Sequence, residues 1–513
     1  MQASLKRWLF LLHRWLGVAL CLLFALWFVS GVVMMYVGYP KLTEAERLAH
    51  LPALDPASTL LAPQEALRKA GVQQPLAELR LNMGSAGRAT YLATPQGAGA
   101  GKTIAIDAAT GQPLGPTSAQ AALASARSYG AAEPSYAGTV TEDAFTHSRN
   151  LDAHRPLHVV ELGDAAGTRL YVSGRTAQVV RDATRTERGW NYLGAWLHWL
   201  YPLRGGLWDR YWADTVNGLS LVGIALALSG TVVGIWRWRF ARPYRSGRRT
   251  PYPGRMMRWH HVSGLLFAAV TLTWIFSGLM SMNPWKVFDS PRRAVDMKLW
   301  QPEGLTLSNA VPPAMLLASG ELKQQAVREL RWSKAPGPTT DSSSKLQVIA
   351  YSANGSRQVF DAATGQALSY DKEQLLAAAA RLSQAPVVDS QWLTGYDFYY
   401  YARADHTMMG GSGKPLPVLR VIYGDEGRTW LHIDAQTGQL LGQMDQRQRL
   451  KRWLFALLHS WDWLPLLERR PLWDGVLIVL SLGGLLLSGT GVVVGWRRLR
   501  RKAAFSKKRA ASA

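Results

Sequence analysis

The stretch LHRWLGVALCLLFALWFVSGVVMMYV, residues 12–37, decides the fold of this chain. No charged residue follows Arg14 within it, and a helix of about 20 apolar residues already crosses the hydrocarbon core of a bilayer. Lys6 and Arg7 precede the stretch, as they would in a secretory signal peptide. The apolar run is too long for such a peptide and no A-x-A cleavage site follows it, so we expect a retained transmembrane helix.

Three further stretches of similar composition predict additional spans. Many of the 22 tryptophans flank these stretches. The indole ring favours the interface between lipid and water because it is apolar but carries an N–H group. The four predicted spans are residues 15–37, 213–236, 261–282 and 474–496.

The excess of basic residues predicts which side of the membrane is cytoplasmic. The chain carries 58 basic and 35 acidic residues, a formal net charge of +23. Eight arginines and no acidic residue lie between Arg237 and Arg258, and eight basic residues lie between Arg497 and Arg509. Cytoplasmic loops beside membrane spans collect Lys and Arg in this way. No nucleic-acid-binding motif accompanies the charge, so topology accounts for it better than nucleic-acid binding does.

This topology predicts a multi-pass protein of a bacterial inner membrane, with cytoplasmic termini and two large domains in the periplasm. The single cysteine, Cys21, lies within a span, so no disulfide framework is expected. The predicted boundaries are the N-terminal tail and first span (1–37), the first outer domain (38–187), an interfacial histidine-bearing helix and the second span (188–238), a basic cytoplasmic loop (239–260), the third span (261–282), the second outer domain (283–449), an interfacial histidine-bearing helix and the fourth span (450–496), and a basic tail (497–513).

The two halves of the chain repeat one another. WFVSG at residues 27–31 matches WIFSG at residues 274–278, an offset of 247 that also carries His13 onto His260. Ser-Gly pairs occur in all four predicted spans, where small residues allow helices to pack closely. The repeat predicts a membrane α-helical fold, with a four-helix transmembrane bundle formed by tandem duplication.

A turn motif also repeats in the outer segments. Asp can accept hydrogen bonds from backbone N–H groups in a turn, and Gly supplies a positive φ angle, so each copy predicts a β-hairpin turn. Helical patterns at residues 63–70 and 372–382 complete the expectation of two α+β outer domains. The copies are DAATGQ at 107–112 and 361–366, DAQTGQ at 434–439, and the diverged SGRTAQ at 173–178.

Four histidines in or beside the spans are candidate cofactor ligands, because ionisable residues at membrane depth are costly and often functional. His13 and His260, near the cytoplasmic ends of the first and third spans, are named the inner pair. His198 and His459, which precede the second and fourth spans on the outer side, are named the outer pair. Two imidazoles that face each other across a helical bundle can serve as the axial ligands of a six-coordinate haem iron.

Glycines and neighbouring residues refine this expectation. Gly17 and Gly264 follow the inner histidines by four residues, on the same helical face, and leave room there for a flat macrocycle. His261 adjoins His260 and could replace it, although the offset of the repeat favours His260. A zinc site has less support, because no third nitrogen, sulfur or carboxylate ligand stands at close spacing.

The rest of the chain offers no motif for another chemistry. It contains no convincing nucleotide-binding, zinc-protease or serine-hydrolase motif, and no flavin or nicotinamide site, so a reductant must come from elsewhere. The remaining histidines are expected to be surface side chains, namely His50, His147, His154, His158, His406 and His432. The alternative is that His154, His158 or His406 contacts a metal-bearing substrate.

Several motifs together resemble the PepSY-associated transmembrane family. They are LHRWLG at 12–17, the D-x-x-T-G-Q turns, RVIYGD at 420–425 with TWLHID at 429–434, and LHSWD at 458–462 with RPLWD at 470–474. Better-understood relatives are inner-membrane ferric-siderophore reductases that hold b-type haems through histidines of the membrane helices. The resemblance therefore implies PepSY-like outer domains, two haem b groups, and an iron-uptake role.

Two classes of function follow. In the first, the inner and outer pairs hold haem, and electrons from an unknown donor reach a periplasmic ferric complex such as a ferric siderophore; copper or another oxidised species could take its place. In the second, the protein is a non-catalytic scaffold or regulator that binds a peptide, a protease or an envelope protein, and the histidines serve only packing.

Overall fold

The structure is a computed structural model in which long helices adjoin β-sheet domains. It describes residues 2–97, 103–130, 132–204, 206–290, 295, 304–305, 307–320, 322–334, 336, 346–403 and 413–511. The α-helices are α1 Gln2–Tyr36, α2 Glu44–His50, α3 Pro63–Lys69, α4 Ala119–Ala126, α5 Arg185–Asn191, α6 Trp212–Arg237, α7 Arg255–Leu266, α8 Ala268–Ser281, α9 Pro313–Leu317, α10 Lys372–Ala380, α11 Gln446–Lys451, α12 Leu458–Ser460, α13 Leu464–Leu467 and α14 Leu472–Ala511.

Three helices are long and apolar enough to cross a membrane, namely α1, α6 and α14. Helices α7 and α8 together meet the same criterion but are bent by 66°. The chain is therefore a membrane protein with three such helices, and a fourth if the bent pair is one span.

The span predicted at 261–282 corresponds to helices α7 and α8, which are bent at Phe267. Phe267 leaves helical geometry, with φ −106° and ψ 11°. Its ring occupies the space beside Gly483 of α14, where an added Cβ would lie 2.1 Å from Phe267 Cε1. Gly484 accommodates Phe28 of α1 in the same way, at 2.1 Å from Phe28 Cζ. Small residues thus allow α1 and the α7–α8 pair to approach α14 closely, as helices in lipid require.

The outer segments contain fourteen strands within the part of the chain that the structure describes, and they form three antiparallel sheets. The strands are β1 Leu76–Ser85, β2 Arg88–Pro95, β3 Ile104–Asp107, β4 Ser135–Val140, β5 Leu157–Glu161, β6 Arg169–Ser173, β7 Val179–Ala183, β8 Val327–Lys334, β9 Leu346–Ser352, β10 Arg357–Asp361, β11 Val387–Leu393, β12 Val418–Tyr423, β13 Trp430–Asp434 and β14 Leu440–Met444.

One sheet is shared by the two outer segments. Its six strands run in the order β10-β9-β8-β1-β2-β3, and β1 pairs with β8 in the register Leu79↔Trp332 and Leu81↔Leu330. These four side chains are buried in one core. The two four-stranded sheets, β4–β7 and β11–β14, each belong to a single segment. The outer segments are α+β as expected, but their central sheet makes them one joined unit rather than two separate ones.

A buried ionic network reinforces the joint between β1 and β8. Glu329 accepts hydrogen bonds from both terminal nitrogens of Arg47, at 2.8 and 3.0 Å, from Arg331 at 2.7 Å, and from the Asn82 side chain at 2.8 Å. Burial alone would raise the pKa of Glu329, but Arg47, Arg331 and Arg80 hold it well below its usual range. A charge buried and paired in this way fixes the register of the two halves, because a slipped register would leave it unpaired.

The repeated motif forms the predicted turns. Asp107 Oδ1 accepts hydrogen bonds from the N–H groups two and three residues on, at 3.0 and 2.9 Å, and Gly111 has a φ of +77°. Asp361 makes the same two bonds. In the diverged copy, Ser173 Oγ accepts them instead, and Ala177 takes the left-handed conformation at φ +55°. The turn geometry therefore survives the loss of both Asp and Gly.

Candidate functional site

The inner pair is brought together by α1 and α7. The ring centroids of His13 and His260 are 6.2 Å apart, and the ring planes are inclined at 34°. His13 Nδ1 lies 3.3 Å from the carbonyl oxygen of Leu226 in α6. His260 Nδ1 lies 3.2 Å from the carbonyl oxygen of Leu487 and 3.3 Å from Thr490 Oγ1, both in α14. Each inner histidine is thus oriented by the next long helix of its own half of the chain.

The outer pair has the same separation but a different orientation. The ring centroids of His198 and His459 are 6.0 Å apart and the planes are inclined at 74°. Each histidine follows a π-helical segment, Tyr192–Trp196 or Arg452–Leu457. Two residues after each histidine the chain turns through a left-handed residue, Leu200 or Trp461. The two segments therefore present their imidazoles by the same local geometry.

Two serines fix the orientation of the outer pair. Ser30 Oγ of α1 lies 2.9 Å from His198 Nδ1, and Ser277 Oγ of α8 lies 3.0 Å from His459 Nδ1. Each serine hydroxyl donates its own proton to a backbone carbonyl three residues earlier, at 3.2 and 3.1 Å. With its proton used in that bond, the serine oxygen accepts a hydrogen bond from the imidazole Nδ1–H, and the lone pair of the ring is then on Nε2.

All four histidines share this pattern. Their Nδ1 atoms face hydrogen-bond acceptors, whereas their Nε2 atoms have no hydrogen-bond partner among the residues that the structure describes. A metal-binding histidine usually donates its second ring nitrogen to a protein group in this way, which fixes the tautomer and the ring orientation. From the sequence, the Ser-Gly pairs were interpreted only as packing residues. The contacts of the Ser30 and Ser277 hydroxyl groups with the histidines were not predicted.

The separation within each pair fits one metal ion between two imidazoles. With a metal–nitrogen distance of about 2 Å and a ring radius of about 1 Å, two axial imidazoles place their centroids about 6 Å apart. The observed values are 6.2 and 6.0 Å. Among the described residues no group of three or more His, Cys, Asp and Glu side chains could hold a metal. Each pair therefore offers two imidazole nitrogens without a third protein ligand among the described residues.

Glycines provide space around the inner pair. A Cβ at Gly230 of α6 would lie 2.6 Å from His13 Cε1, so this glycine is required by the position of the ring. A Cβ at Gly17 would meet only Cys21 and Leu226, at 3.7 and 3.8 Å, and one at Gly264 would meet Leu487 at 3.4 Å. Protein packing alone does not demand a glycine at position 17. The sequence predicted Gly17 and Gly264 as cofactor-facing residues and overlooked Gly230.

His261 has a different environment from His260. Its Nδ1 lies 2.8 Å from Thr250 Oγ1, and its Nε2 lies 2.9 Å from the carbonyl oxygen of Gly234. Both ring nitrogens are therefore occupied, and the ring ties the basic loop to α6. This geometry favours His260 over His261 as the ligand.

The two pairs lie at opposite ends of the membrane helices. His13 and Ser30, which contact the inner and outer sites, are 17 residues apart on the continuous helix α1, about 25 Å at the helical rise per residue. Aromatic side chains pack between the helices in this layer, with Phe28 and Trp274 at a centroid distance of 5.7 Å. Two sites are thus placed near the two faces of one apolar layer.

The remaining histidines differ from the prediction that all are surface side chains. His158 and His432 are buried, and His154 is half-buried, whereas His50 is exposed. Burial, together with Arg420 and Lys414, lowers the pKa of His432 to about 3. Burial, together with Arg80 and Arg175, lowers the pKa of His154 to about 4. These imidazoles are neutral parts of the sheet domains, and His406 lies outside the described residues.

Comparison with known proteins adds one finding. A sequence model described as the PepSY-associated TM region matches residues 10–350. The match includes His13, His198 and His260 and ends before His459. A search of curated proteins finds no match to the chain.

Proposed function

The chain belongs to the PepSY-associated transmembrane family, and we propose that it is a haem-containing electron-transfer protein of a bacterial inner membrane. It takes electrons from a donor on the cytoplasmic side and reduces a periplasmic ferric complex, such as a ferric siderophore. The observation that carries this proposal is the presence of two histidine pairs, each with the spacing of axial ligands to one metal ion.

In this proposal His13 and His260 hold one haem b, and His198 and His459 hold another. When bound there, haem would supply a one-electron couple. The protein's own groups orient the imidazoles. Carbonyl oxygens in α6 and α14 accept from the inner pair, and serine hydroxyls in α1 and α8 accept from the outer pair. Gly230 keeps the space that the His13 ring needs.

The proposal includes the topology predicted from the sequence. The chain is a tandem duplicate whose four spans form one bundle, and each histidine pair takes one member from each copy. The basic loop and tail lie in the cytoplasm, since Lys and Arg collect beside spans on that side. The joined sheet domains then lie in the periplasm, next to the outer pair.

The substrate class follows from the chemistry of iron release. Hard oxygen ligands hold Fe(III) far more tightly than Fe(II), so the transfer of one electron to a ferric complex weakens its hold on the metal. Each ferric ion consumes one electron, and the cytoplasmic donor is oxidised by the same amount. A haem held by His198 and His459 would supply this electron without binding the ferric complex itself.

A spectrum tests the proposal directly. The detergent-purified protein should show a Soret band and a reduced-minus-oxidised difference spectrum with two haems per chain. His13→Ala with His260→Ala should remove one haem, and His198→Ala with His459→Ala the other, whereas His50→Ala, at an exposed position, should remove none. A colourless preparation, or a haem content unchanged in both double variants, overturns the proposal and favours a scaffold.

The two sites should also differ in electron paramagnetic resonance. Nearly perpendicular imidazole planes leave two iron d orbitals close in energy and give a highly anisotropic low-spin signal. The outer pair, at 74°, should give such a signal, and the inner pair, at 34°, a less anisotropic one. Each double variant should remove the corresponding signal.

A further inference from the structure

A buried cluster of charges lies beside His459. The Asp462 side chain is fully buried and accepts from Arg452 Nη1 at 2.5 Å and from Arg403 Nη1 at 2.7 Å. The hydroxyl of Tyr401 donates to the same carboxylate. Arg403 Nη2 also donates to Ser460 Oγ at 3.2 Å, and Ser460 is the residue next to His459.

Among the described residues, this cluster holds more positive than negative charge. It contains two guanidinium groups and one carboxylate, and Asp462 is the only acidic partner of either arginine among the described residues. Arg452 is 8% exposed, and Arg403 is 23% exposed, so water screens this charge only in part. Arg403 donates to Ser460, the residue next to His459, whereas Arg452 donates to Asp462 and to the carbonyl oxygen of Phe398.

The first half of the chain lacks this arrangement. An offset of 261 residues aligns His198 with His459 and the left-handed Leu200 with Trp461. The same offset places Asn191 at the position of Arg452, and Tyr201 at the position of Asp462. The charge cluster therefore lies beside the outer pair only in the second half of the chain.

We propose that Arg403 raises the reduction potential of the outer site and thereby favours transfer of an electron onto that site. This inference rests on the proposed function. Reduction of a haem iron removes one positive charge, so a nearby, poorly screened cation disfavours the oxidised form and favours uptake of the electron. Arg403 does not contact the imidazoles, and it acts through its charge beside the histidine segment.

The test compares two substitutions at one position. Arg403→Gln removes the excess charge and leaves Arg452 paired with Asp462, whereas Arg403→Lys keeps the charge. Potentials of both haems are measured by spectroelectrochemical titration of the purified, haem-loaded protein. We expect Arg403→Gln to shift the outer equilibrium at least tenfold toward the oxidised form, about 59 mV for one electron. The inner potential should stay unchanged, and Arg403→Lys should keep most of the wild-type outer potential.

The outcomes separate this inference from the function on which it rests. If Arg403→Gln binds two haems and neither potential moves, the role of Arg403 is refuted while haem binding stands. If the outer reduction potential falls equally in Arg403→Lys and Arg403→Gln, the charge of Arg403 is not the cause, and its role is structural. That result also refutes the inference. A wild-type protein without haem refutes the proposed function itself.

Discussion

Replacement of Gly230 by alanine tests the inner pair through sterics alone. The new Cβ would lie 2.6 Å from Cε1, 3.0 Å from Nδ1 and 3.5 Å from Nε2 of His13. Carbon atoms in contact prefer about 3.5–4.0 Å, so the ring must move by about 1 Å. Overpacking of this kind costs about 1–3 kcal/mol, and misplaced ligand support lowers metal affinity about 10–100-fold. We expect haem content to fall from two towards one per chain, with the outer haem retained.

Gly489 is the matched control, because the repeat aligns it with Gly230 through the Ser-Gly-Thr triplets of α6 and α14. A Cβ there would meet no atom within 4 Å. Alanine is a better helix former than glycine by about 1 kcal/mol, so neither substitution weakens its helix intrinsically. Haem per protein is measured from the pyridine haemochrome spectrum, alongside thermal unfolding followed by circular dichroism. If Gly230→Ala keeps both haems, or Gly489→Ala loses one equally, the assigned position of His13 is wrong.

Three further predictions address other contacts. His260→Ala should remove the inner haem, whereas His261→Ala should keep both haems and expose the basic loop to proteolysis; loss of haem in the second variant only would reverse the assignment. Ser277→Ala should lower the affinity of the outer site for haem about 10–100-fold, whereas Ser281→Ala, whose hydroxyl bonds only within its own helix, should not; equal haem retention by both argues against the serine as an orienting group. Glu329→Gln should lower the free energy of unfolding of the sheet domains by about 3 kcal/mol at pH 7. The pKa of Glu329 in the folded protein is held below its usual range. The loss of unfolding free energy in Glu329→Gln should therefore be full above about pH 5 and become smaller as the pH falls towards about 3. A loss that does not depend on pH would contradict the ionic role.

The sequence predicted those parts of the molecule that depend on local pattern or on repetition. Apolar length predicted α1, α6 and α14, and the turn motif predicted the hydrogen bonds of Asp107. The repeat offset chose His260 over His261, and the geometry favours the same residue. The bend at Phe267 could not be predicted, because it depends on the space beside Gly483 on another helix. The role of Ser277 also could not be predicted, because the sequence does not show whether a small residue in a span serves for helix packing or as a hydrogen-bond acceptor.

The shared sheet joins the two halves of the chain, each of which contributes one histidine to the outer pair. His198 and His459 are each held by a serine of their own half, yet the centroid distance of 6.0 Å is a relation between the halves. On the outer side, the strands β1 and β8 join those halves, and the buried Glu329 fixes their register. A slip by two residues would move one outer segment by about 7 Å along the strand, more than the separation of the two rings. The ionic network at the sheet joint therefore supports the same relation between the two halves on which the proposed outer site depends.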